Sequence, residues 1–117
     1  MENLTWTHDG PCLTARYAGE ITMEVTQDFK HAVEKHLEDA KAVTLVLDLS
    51  EVSFMDSSGI GFLVACNTRL QTSGRTLVLF KPSSQVKKTL GLVQLMQFFT
   101  VAESDQELAD LAAQATK

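Results

Sequence analysis

Apolar residues crowd one part of the chain more than any other. From Val43 to Leu49 (VTLVLDL) they fill nearly every position, interrupted near the end by Asp48. That pattern predicts a central strand, covered on both faces or on one face with a flanking layer. Ser50 to Met55 reads as a short connection, with Val52 and Phe54 turned inward. Helical spacing then begins at once. Ile60, Leu63, Cys66 and Leu70 form an apolar stripe, widened by Phe62 and Val64, while Asn67, Thr68, Gln71 and Thr72 fall on the polar side. Asp56 or Ser57 caps this helix, and Ser73-Gly74 ends it.

The flanking segments carry weaker versions of the same two periods. Leu4 to His8 predicts a short strand. Asp9-Gly10-Pro11 is a turn, and the alternation from Cys12 to Tyr17 gives an antiparallel partner that closes at Gly19-Glu20. Thr22 to Ala40 predicts a helix capped by Thr22, with Val25, Phe29, Ala32, Val33, His36, Leu37 and Ala40 inward. Thr76 to Phe80 is a strand stopped by Lys81-Pro82. Ser83 to Leu90 is a short helix, Leu92 to Met96 is ambiguous, and Phe98 to Val101 is a last strand. Ser104-Asp105-Gln106-Glu107 has the spacing of a capping box. It opens an amphipathic helix on Leu108, Leu111, Ala112 and Ala115. The order β-β-α-β-α-β-α-β-α predicts an α/β domain: an N-terminal hairpin, then a largely parallel sheet.

Composition narrows the function. The 117 residues predict one domain, residues 1–117, and 44% apolar with 21% charged residues is ordinary for a globular protein. A net charge of −5 argues against nucleic acid as the main partner. Cys12 and Cys66 stand far apart and in no metal-like spacing, so they read as reduced thiols, with no metal site. The N-terminus lacks a signal-peptide pattern, and no stretch has the length of a membrane span. A cytoplasmic protein without a membrane partner is the expectation.

The distinctive chemistry lies where the central strand meets the next helix, at Asp56-Ser57-Ser58-Gly59. A nucleophile elbow needs G-x-S-x-G, and Met55 and Asp56 stand where its first glycine would be. None of His8, His31 and His36 is placed to act as base, so no catalytic residue is assigned. Gly59-Ile60-Gly61 begins G-x-G, yet Val64 occupies the third glycine position and no G-K-[ST] occurs, so no cofactor is assigned. A helix cap accounts for one polar residue here, contributing about 1 kcal/mol. It accounts less well for three in a row followed by Gly59 and Gly61, which lower helix propensity by about 1 kcal/mol each. An open helix start suits something docking against it.

The segment SFMDSSGIGFL resembles the phosphorylation-site segment of the STAS domains of anti-sigma factor antagonists. Ala18-Gly19-Glu20-Ile21 before the first long helix, LVLDLSEV before the junction, and Val86-Lys87-Lys88 extend the resemblance over nearly the whole chain. It implies a β-sheet with helices packed mainly on one side, and a protein that is not an enzyme. It implies an anti-sigma factor serine kinase of the histidine-kinase-like ATPase fold as partner. That kinase is bound when the antagonist is unphosphorylated and released on phosphorylation, and a serine phosphatase restores binding. Ser58 occupies the modified position. Asp56, Ser57, Ser58, Gly59, Ile60, Gly61, Glu20 and Thr22 form the implied partner-binding surface, on a monomer or weak dimer. Thr22 replaces an Asp often found in the family, and Gln94-Leu95 stands where Gly-Leu is frequent. The alternative is a STAS scaffold that binds a signalling complex or transporter subunit without phosphorylation.

Overall fold

In the computed structural model, residues 3–115 are described; the two ends of the 1–117 span, and the Ala115 side chain, lie outside that description. The elements are β1 Leu4–Asp9, β2 Cys12–Ile21, α1 Met23–Ala40, β3 Thr44–Met55, α2 Ser57–Thr72, β4 Thr76–Phe80, α3 Ser84–Leu92, a 3-10 turn Met96–Phe98, β5 Thr100–Ala102 and α4 Asp105–Ala115. The five strands form one sheet in sequential order. β1 and β2 are antiparallel, joined at Gly10 with φ +58°, and every later pairing is parallel.

The strand faces explain the layers. Leu45, Leu47 and Leu49 of β3, with Leu77 and Leu79 of β4, point to one side, where they join Phe29 and Val33 of α1, Leu63 and Leu70 of α2, and Val86 and Leu90 of α3. Val46, Val78, Phe80 and Ala102 point to the other side, under Leu108 and Leu111 of α4. Burying each such Leu or Val contributes about 1.5–3 kcal/mol, so the larger face dominates the core. Helices sit mainly on one side of a mixed sheet, as the resemblance implies.

Three local readings change. The predicted Ser50–Met55 connection is the second half of β3. Asp48 to Glu51 on β3 lies opposite Arg16 to Ala18 on β2, and Val52 to Phe54 opposite Gly19 to Glu20, so β3 carries an extra residue at each of two bulges. Those bulges break the period of two and leave Val52 and Met55 buried three residues apart. Phe54 consequently turns outward, 42% exposed. Beyond the end of β4, the free edge of β3 is held by Ser83, whose N–H donates to Leu49 O at 3.2 Å and whose hydroxyl donates to Val52 O at 2.7 Å. Asn67, expected on the polar side of α2, is buried. Leu92 ends α3, Met96 opens the 3-10 turn, and β5 begins at Thr100 rather than Phe98.

Candidate functional site

The parallel register of β2 and β3 brings two strand-to-helix turns side by side. Ile21 pairs with Met55, and the Asp56 N–H donates to Ile21 O at 3.2 Å. The N-termini of α1 and α2 therefore open at the same end of the sheet. Asp56 lies between them. Its Oδ1 accepts from Ser58 N at 2.9 Å and Gly59 N at 3.1 Å, and its Oδ2 accepts from Met23 N at 3.3 Å. One carboxylate caps both helices, facing the positive ends of two dipoles. Thr22 is the residue before α1, but its side chain makes no cap hydrogen bond. The expected Thr22 cap is supplied instead by Asp56, which the pairing of Ile21 with Met55 brings to the start of α1.

Gly59 allows this arrangement. A Cβ there would meet Met55 Cγ, Ile21 Cγ2 and the Ile21 carbonyl oxygen at 2.3, 3.0 and 3.0 Å. The missing side chain lets α2 begin hard against the end of β2. Gly61 is different: a Cβ there would meet nothing within 4 Å. Of the two glycines, Gly61 bares the outer surface and Gly59 serves the packing beneath it.

The residues of the implied surface thus divide by depth. Glu20, Ser57 and Gly61 are exposed, Thr22, Asp56, Ser58 and Ile60 are half-buried, and Gly59 is buried. Gly59 belongs under the surface rather than on it. Neither serine hydroxyl has a hydrogen-bond partner among the described residues, whereas the Ser58 N–H is already taken by Asp56. Ser58 also stands at one end of a groove of about 440 Å³ between α1 and α2. Arg69 bridges the helices there through Glu34 at 2.9 Å. Cys66 in the groove wall is buried, which pushes its thiol up to about 12.

Two exposed neighbours lie outside the surface read from the sequence, which has Phe54 turned inward and gives Met23 no role. Met23, the first residue of α1, is 73% exposed, and Phe54 stands two residues before Asp56. No periodicity signal marks either one. Met23 sits at a helix start, and Phe54 follows the second bulge.

Histidine chemistry is elsewhere. His36 stacks on Trp6 with ring centroids 3.9 Å apart, and its Nδ1 lies 2.9 Å from Ala32 O. His8 and His31 are exposed. Among the described residues, no three His, Cys, Asp or Glu side chains group as metal ligands would. No helix there is long and apolar enough to cross a membrane.

Residues 3–108 match the family described as the STAS domain. An anti-sigma-B factor antagonist of Listeria monocytogenes is 30% identical over 91 residues, covering 78% of this chain and 79% of its own. Among solved structures, an anti-sigma factor antagonist of Mycobacterium paratuberculosis superposes with a TM-score of 0.79 at 21% identity, covering 92% of this chain and 91% of its own. The anti-sigma factor antagonist SpoIIAA in its unphosphorylated form superposes with a TM-score of 0.71 at 18% identity, covering 95% of this chain and 97% of its own.

Proposed function

The chain belongs to the STAS domain family, and on that premise we propose that it is an anti-sigma factor antagonist switched by phosphorylation of Ser58. Unmodified, it binds an anti-sigma factor that is also a histidine-kinase-like serine kinase, and so frees a sigma factor. Transfer of a phosphoryl group to Ser58 Oγ ends that binding, and a serine phosphatase resets the protein. The observation that carries this reading is the half-buried Ser58, whose hydroxyl has no hydrogen-bond partner among the described residues, on a helix start whose N–H groups Asp56 already satisfies. The fold asks nothing of the hydroxyl, so modification leaves the internal bonding intact.

Phosphorylation adds about −1.5 to −2 charges and considerable bulk. The dipole of α2 offsets roughly 0.3–1 kcal/mol of the cost within the domain, which therefore stays folded. The effect is external. A partner surface shaped for a neutral hydroxyl must desolvate a dianion that lies close to the Asp56 carboxylate.

The test is titration calorimetry of the chain with purified serine kinases of that class from the source organism. Ser58→Ala is expected to bind a kinase as the wild type does, and Ser58→Asp to bind at least about tenfold more weakly. Equal affinity of the phosphorylated and unphosphorylated chains for that kinase contradicts the switch.

A further inference from the structure

Six large apolar side chains are conspicuously exposed among the described residues, and two of them flank Asp56. Met23 N–H donates to Asp56 Oδ2, and Phe54 precedes Asp56 by two residues on β3, with its Cα paired to Glu20. Isolated exposed apolar residues are common, so exposure alone decides nothing. Here the pair adjoins Ser57 and Ser58. It is also accompanied by carboxylates without cations. Glu20 and Glu24, both exposed, stand within the same two turns, and neither forms an ion pair among the described residues. Apolar anchors beside unneutralised charge of one sign match a rim of the opposite sign on the partner.

We propose that Met23 and Phe54 are the apolar anchors of the docking face, and that the partner receives them in an apolar pocket rimmed by Lys and Arg. This rests on the kinase reading above and names the chemistry of the partner's side. Met23 and Phe54 supply contact area that Ser57, Ser58 and Gly61, being small, do not. The anchors lie beside the serine rather than on it, so they position the first turn of α2 against the kinase without obstructing the hydroxyl. The remaining exposed apolar residues, including Leu92, Val93 and Phe98 around the end of α3, adjoin neither serine in sequence.

The experiment uses the full chain and the serine kinase that binds wild type, with a non-hydrolysable ATP analogue keeping Ser58 unmodified. Met23→Ala and Phe54→Ala are each expected to weaken binding at least about tenfold, as hot-spot truncations do. Leu92→Ala, at a residue 77% exposed, serves as the matched control and is expected to leave affinity unchanged. Raising ionic strength is expected to weaken the wild-type complex. Circular dichroism melts check that every variant is folded. Anchor variants that bind within about twofold of wild type, while Ser58→Asp still disrupts the complex, overturn the anchors and leave the switch standing. An equal loss from Leu92→Ala overturns the anchors too. Failure of the wild type to bind any such kinase removes the switch reading and the anchors with it.

Discussion

Replacing Asp56 with Ala removes the side-chain acceptor that the two helix starts share. Three N–H groups lose a side-chain acceptor: Ser58 and Gly59 in α2, the latter keeping its 3.0 Å bond to the Asp56 carbonyl, and Met23 in α1. Loss of the α2 cap costs about 1 kcal/mol, within a range of about 0.5–2. The Met23 bond is longer and exposed, and water replaces it in part, so it adds roughly 0.5 kcal/mol. The attraction of the carboxylate to two dipoles adds roughly 0.3–1 kcal/mol for each helix. The total is about 2–3.5 kcal/mol. Asp56→Asn keeps one acceptor oxygen for the α2 N–H groups but sets an amide NH2 against the Met23 N–H, so it loses the charge and the Met23 bond, for about 1–2.5 kcal/mol. Thr22→Ala is expected to cost under about 0.5 kcal/mol, because the Thr22 side chain makes no cap bond. Urea titration followed by the fluorescence of the single tryptophan, Trp6, and by circular dichroism measures all three. A Thr22→Ala cost equal to that of Asp56→Ala would refute the shared cap.

The two glycines of the motif are expected to respond in opposite directions. Gly59→Ala drives a methyl group into Met55 and the Ile21 carbonyl and destabilises by about 1–3 kcal/mol, whereas Gly61→Ala stabilises by up to about 1 kcal/mol; thermal melts compare them. Burial raises the Cys66 thiol from its ordinary 9.0 to about 12, so the folded chain holds that proton more tightly than the unfolded one. Its contribution is complete below pH 9 and is lost as pH rises towards 12, with a limiting slope of about 1.4 kcal/mol per pH unit. Urea midpoints taken across that range should fall less steeply in Cys66→Ala. Ser83→Ala removes both the cap on Val86 N and the bond to Val52 O, for an expected loss of about 1–2 kcal/mol by urea titration.

Much of the site is legible in the amino-acid sequence. A strand of continuous apolar residues, a polar junction and a helical stripe are local signals, and they place Ser58 on the first turn of α2. The capping potential of Asp56 for α2 is equally local. Its hold on Met23 is not, because it depends on Ile21 pairing with Met55. That pairing follows two bulges, whose extra residues disguise Ser50–Met55 as a loop. The same bulges turn Phe54 outward. Gly59 and Gly61 look alike in the sequence, and only the closeness of Ile21 and Met55 separates them. Asn67 fails for another reason: its side chain is polar but its place on α2 faces inward, and its Nδ2 has no partner among the described residues.

The central claim is that one hydroxyl on the α2 start carries the switch. Incubating the chain with its serine kinase and ATP, then mapping the modified residue by mass spectrometry, tests this most directly. The account predicts a single phosphate on Ser58, absent from Ser58→Ala and retained in Ser57→Ala. A phosphate on Ser57, or no phosphate with a kinase that binds the chain, would contradict it.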